Sequence, residues 1–82
     1  MGRFEVHRSR LSPHATSQVS TPGPGSMEYV MVVEGRVTLV SDGVPHVLEG
    51  GDAARFSGRS PHFYPTEASL AVTNSVAAYP RD

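Results

Sequence analysis

Tyr29 to Val33 and Val37 to Val40 are two short apolar runs, rich in β-branched residues, separated only by Glu34-Gly35-Arg36 and followed at once by Ser41-Asp42-Gly43. Each run is too short for a typical globular helix, and β-branched side chains pack well on a pleated surface, so both read as strands. Asp42-Gly43 can adopt the positive φ angles of a tight hairpin connection. Val44 to Leu48 then reads as the returning strand, with Val44, His46 and Leu48 on one face. A chain with this centre is committed to a sheet-based fold.

The flanking segments agree. Phe4 to Leu11 alternates weakly, with Phe4 and Val6 on one side and Glu5 and His7 on the other, and reads as an opening edge strand over residues 3–11. Residues 12–26 are rich in Ser, Thr, Pro and Gly and form a loop in which only Thr16 to Val19 could pair briefly. Beyond the central hairpin, Glu49-Gly50-Gly51-Asp52 is a turn and Ala53 to Phe56 is extended. Ser57-Gly58-Arg59-Ser60-Pro61 breaks it, and His62 to Tyr64 is a short strand. From Glu67 to Tyr79, Leu70, Val72, Asn74 and Val76 alternate against Ala71, Thr73 and Ser75, the period of a half-buried strand. About seven short strands with no amphipathic helix make an all-β sandwich or barrel, one domain over 1–82 with its barrel motifs in 27–80.

Composition excludes several functions. Seven Arg, no Lys and eight acidic residues give a net charge of −1 and a pI near 6.4, so no broad basic surface exists to neutralise phosphates. Direct nucleic-acid binding by this segment is not expected. The absence of Cys removes disulfides, thiolate nucleophiles and Cys-based zinc sites. Met1 to Arg10 lacks the apolar stretch of a signal peptide and no run reaches membrane-spanning length, which implies a cytoplasmic protein without membrane attachment. At 82 residues the core is small, and a homodimer is the default expectation.

Glu28 to Gly35 has the E-x6-G spacing of the first cupin motif, and Gly51-Asp52-Ala53-Ala54-Arg55-Phe56 followed by Ser60-Pro61-His62 resembles the second. The chain resembles the cupin superfamily over about Phe4 to Pro80, and most nearly the sensor domain C-terminal to the helix-turn-helix in XRE-type transcriptional regulators. The resemblance implies a double-stranded β-helix, or jelly-roll barrel. It also implies a pocket whose usual metal set is two His in an H-x-H pair, a Glu shortly after, and a His in the second motif. Glu28 and His62 match that set. The paired positions fall at Thr21 and Gly23, or Pro22 and Pro24, and none is His. The second motif also departs at Ser57, Arg59 and Thr66, where the family commonly has Pro, Gly and Asn.

Two protein ligands fall short of the two imidazoles and one carboxylate that a transition-metal site of this kind requires. The expectation is therefore a pocket with no metal and no cofactor, unless His46 faces the lumen beside His62. Alternation places Glu28 on the same face as Val30 and Val32, as an inward carboxylate that needs a partner. Either Arg55 or a loop amide satisfies it, or it accepts hydrogen bonds from a polar ligand. His62 and Tyr64 share a face by the two-residue period. Arg55 could bind a ligand carboxylate, though on a turn it could equally be a solvated surface charge.

Tyr29, Met31 and Val33 then face outward, an apolar row that another subunit or the N-terminal strand must cover. The functional expectation is a small-molecule-binding sensor using Glu28, His62, Tyr64 and Arg55, regulatory and attached to or partnered with a helix-turn-helix protein. The competing readings are a metal-independent isomerase, cyclase or lyase with His62 as base, and a barrel that only dimerises.

Overall fold

A computed structural model describes residues 2–80; Met1, Arg81 and Asp82, the ends of the single domain expected over 1–82, lie outside the described residues. Seven strands follow one another: β1 (Arg3–Leu11), β2 (Met27–Glu34), β3 (Arg36–Ser41), β4 (Val44–Glu49), β5 (Ala53–Ser57), β6 (His62–Phe63) and β7 (Ala71–Tyr79). Among the described residues there is no helix. All pairings are antiparallel and build two sheets, one ordered β1-β7-β2-β5 and the other β4-β3-β6. The non-sequential neighbours are those of a jelly roll.

Turn chemistry sets the corners. Asp42 and Gly43 have φ of 52° and 75°, the paired positive values of the hairpin that joins β3 to β4. Gly35, between β2 and β3, has φ of 81°, and a Cβ there would overlap the carbonyl oxygen of Leu70. The chain crosses between sheets where another backbone passes at contact distance, so only glycine fits.

Val30 and Val32 from one sheet meet Val37, Leu39 and Leu48 from the other, with Ala71 beneath them. β7 turns Ala71, Thr73 and Ala77 inward and leaves Val72 and Val76 less buried on the outer face. The segment expected as a loop over 12–26 does more than connect. Ser20 and His62 exchange both backbone hydrogen bonds, and Thr16 bridges Pro65, so 16–20 runs beside β6 as an irregular extra strand. Thr66 clips the same segment: its hydroxyl donates to Ser12 O and accepts from Ala15 N, which gives the residue that departs from the motif a structural task.

Candidate functional site

The alternation that turns Val30 and Val32 inward also turns Glu28 inward, and register sets it between Ala77 of β7 and Phe56 of β5. β6 approaches from the facing sheet. It is only two residues long, pinned by Ser41 of β3 on one side and by Ser20 on the other. That double pairing buries His62, 2% exposed, against Glu28. Tyr64 follows two residues later on the same side, its backbone N–H donating to Ser17 Oγ at 2.8 Å.

The three side chains meet at one oxygen. Tyr64 donates its hydroxyl to Glu28 Oε2 at 2.9 Å, and His62 Nε2 lies 3.1 Å from the same atom. Phe56 stands edge-on to the His62 ring, centroids 4.8 Å apart, and Tyr64 is edge-on from another side at 5.6 Å. Burial acts to raise the Glu28 carboxyl, but the hydrogen bonds from His62 and Tyr64 and the charge of His62 outweigh it and hold the group below its usual range. Burial pushes the Tyr64 phenol well above its usual range, and the Glu28 charge and hydrogen bond push it further. At neutral pH the pair is thus an ionised carboxylate and a protonated phenol. His62 Nδ1 is buried with no hydrogen-bond partner among the described residues.

A cavity of about 520 Å³ opens between β4 and β5, the free edges of the two sheets. Leu39, Leu48, Ala54 and Phe56 supply apolar walls, while Ser41, His46 and Arg55 add polar groups. It adjoins the buried cluster through two residues: Phe56, which touches the His62 ring, and Ser41, which pairs with His62 across the β3–β6 ladder.

The structure therefore brings Glu28, His62 and Tyr64 together and leaves Arg55 apart. Arg55 is exposed, opposite Tyr29 in the β2–β5 ladder, and lines the cavity without touching the cluster's hydrogen bonds. Glu28 takes its bonds from Tyr64 and His62 rather than from Arg55 or a loop amide. His46 is exposed, yet with Val44 and Leu48 it lines the cavity mouth. Phe56 and Ser41 are site residues that the sequence reading does not single out. A signal for Phe56 exists, since it lies two residues from Ala54 on the same strand face.

The donor set does not fit a transition metal. Among the described residues no group of three His, Cys, Asp or Glu side chains is placed to hold one. Thr21 to Pro24, where the paired imidazoles of such a site would stand, runs past the β5–β6 turn, with Gly23 N donating to Gly58 O. None of these four residues carries a side chain that ligates well. Among the described residues, no helix is long and apolar enough to cross a membrane.

Comparison with known proteins identifies the architecture. The Cupin domain family matches residues 7–73. No curated protein matches the chain. Among solved structures, an HTH_3 family transcriptional regulator from Vibrio cholerae is 33% identical at a TM-score of 0.86, over 95% of this chain and 44% of that one. The chain thus spans less than half the length of that regulator. The Cupin_2 domain of an XRE family transcriptional regulator from Enterobacter cloacae is 34% identical at a TM-score of 0.82, over 95% of this chain and 83% of that one. A sugar phosphate isomerase of the cupin superfamily from Silicibacter pomeroyi is 31% identical at a TM-score of 0.74, over 95% and 51%.

Proposed function

Since the chain belongs to the Cupin domain family, we propose that it is a small-molecule-binding sensor domain that works without a metal, the regulatory part of a cytoplasmic transcriptional regulator. One observation carries this reading: an open cavity of about 520 Å³ is separated by Phe56 and Ser41 from a buried polar cluster in which His62 Nδ1 has no hydrogen-bond partner among the described residues. Ligand sites combine apolar walls with a few placed polar groups, and this cavity has that composition. The likeness to domains of the Vibrio cholerae and Enterobacter cloacae regulators supports the regulatory part. DNA contacts would then come from a helix-turn-helix segment on the same polypeptide or a partner, and ligand binding would act by shifting a population of conformations.

The cluster also defines what such a ligand offers. With Nε2 directed at Glu28, Nδ1 is the ring nitrogen left to hydrogen-bond a ligand. The fitting ligand has an apolar body for the cavity walls and a hydroxyl or other hydrogen-bonding group that reaches past Phe56 to this nitrogen. A thermal-shift screen of neutral polyols, short aliphatic alcohols, hydroxy acids and amines tests this. A compound at a hundred times its dissociation constant stabilises the fold by about 2.7 kcal/mol, and His62→Phe should remove that gain. No stabilisation by any class, with the cavity filled by side chains in a crystal structure, would overturn the reading and leave a barrel that serves only assembly.

The Silicibacter pomeroyi isomerase supports a second reading, metal-independent isomerase, cyclase or lyase chemistry with His62 as base. Exchange of a substrate carbon-bound proton with solvent, lost in His62→Ala, distinguishes catalysis from binding.

A further inference from the structure

Two residues stand between the His62 imidazole and the neighbouring cavity, Ser41 and Phe56, and they differ in freedom. Ser41 is held on both edges, since β3 pairs it with Val44 on one side and with His62 on the other. β6 is held as firmly, because Ser20 exchanges both backbone hydrogen bonds with His62 along the second edge. The imidazole is fixed at Nε2 by Glu28, and Glu28 in turn takes the Tyr64 hydroxyl. Backbone and polar cluster are thus locked together.

Phe56 is tied in neither way. It lies on β5, an outermost strand with β2 as its neighbour in the sheet, opposite Glu28 in that ladder. Its half-buried ring stands edge-on to His62, at 69° with centroids 4.8 Å apart, and also lines the cavity. A dry cavity of about 150 Å³ accepts benzene, so the space of about 520 Å³ beside β5 has room for a turned phenyl ring and a ligand. A change of χ1 from one staggered well to another is enough for the movement. The cavity walls include neither His62, Glu28 nor Tyr64, so with the ring against His62 the cavity stops short of Nδ1.

We infer that Phe56 is the gate of this site: closed, its ring rests against His62; open, it lies in the cavity and leaves Nδ1 to a ligand. The inference rests on the ligand-binding reading above and narrows the ligand further. The displaced ring takes part of the cavity, so the arm that reaches His62 must be slender, an unbranched chain ending in its polar group.

Acylation of the four histidines by diethyl pyrocarbonate, followed residue by residue by mass spectrometry well below the melting temperature, tests the gate without any ligand. The reagent needs an accessible neutral imidazole nitrogen, so in the wild-type chain His62 should react far more slowly than exposed His7 and His14. Phe56→Ala should speed His62 about tenfold, the population that loss of one aromatic edge contact releases, and leave His7 and His14 unchanged. Phe56→Leu, the variant that decides if the alanine chain does not fold, should give a smaller rise in the same direction. Leu48→Ala truncates the same cavity from β4, a strand that does not pair with β6, and should leave His62 slow. A His62 rate unchanged by the Phe56 variants overturns the gate and directs access through residues 16–20. A rate raised equally by Leu48→Ala overturns it in favour of general loosening, and a wild-type His62 as reactive as His7 leaves no barrier to explain. The sensor reading fails separately: a thermal-shift screen without a stabilising compound sinks it whatever the acylation rates show.

Discussion

The Tyr64 hydroxyl and the Glu28 carboxylate are joined by a 2.9 Å hydrogen bond between the facing sheets of the barrel. A buried carboxylate without donors is costly, so the bond lets Glu28 remain ionised inside the fold. Tyr64→Phe keeps the ring against His62 and removes only the donor. A hydrogen bond to a buried charge is worth about 1.5–3 kcal/mol, and the variant should lose that much, read as a lower urea midpoint with unchanged slope. An unchanged midpoint would mean that water replaces the phenol and that the cluster is more open than its burial indicates.

The same cluster sets an acid limit on stability. Glu28 is held below its ordinary value of 4.5 in the folded chain, so the unfolded chain binds protons first as pH falls. Its stabilising contribution is complete above that value and is lost as pH drops below 4.5 through the lower folded value. Tyr64 acts at the other end: raised above 10.0 when folded, it favours the fold at lower pH and loses that contribution as pH climbs from 10.0 upward. Glu28→Gln should flatten the acid limb of a melting-temperature profile. A profile as steep as wild type would place the acid sensitivity in other carboxylates.

Much of this arrangement is legible in the sequence. The two-residue period alone turns Glu28 inward with Val30 and Val32 and puts His62 and Tyr64 on one side, because strand geometry permits nothing else. Phe56 and Ser41 are not legible as neighbours of His62. Their adjacency depends on cross-strand register between segments far apart in the chain, which no local pattern encodes. The direction of β7 is equally hidden. Val72 and Val76 are more apolar than Thr73 and Ser75, yet the smaller residues face the core, since the outer face of this sheet is apolar as well. Brief pairing over Thr16 to Val19 is legible, but residues 16–20 pair through backbone groups while their side chains are mostly polar, so hydrophobic alternation does not reveal which strand they join.

Two potential ligands, Glu28 and His62, leave a divalent transition metal short of its usual inner shell. Desalted protein incubated with Zn²⁺, Ni²⁺, Mn²⁺ or Fe²⁺ should retain well under one equivalent by elemental analysis, and a chelator should leave its melting temperature unchanged. One retained equivalent that disappears in His62→Ala would place a metal in the lumen and require a ligand from outside the described residues.

Gly35 closes the E-x6-G spacing that begins at Glu28, and two separate demands fall on it. Its φ of 81° is strained for any residue with a side chain, and a Cβ would also overlap the Leu70 carbonyl oxygen. Gly43 has a similar φ of 75°, but a Cβ at that position would meet nothing within 4 Å, so Gly43→Ala carries the backbone strain alone. That strain is worth about 1–2 kcal/mol. Gly35→Ala should cost more, about 3 kcal/mol or beyond, because the β2–β3 crossing must also move off the Leu70 backbone. Urea denaturation of the two variants side by side measures the difference. Equal losses would show that the strand crossing yields without penalty and that the motif glycine is required for its φ alone.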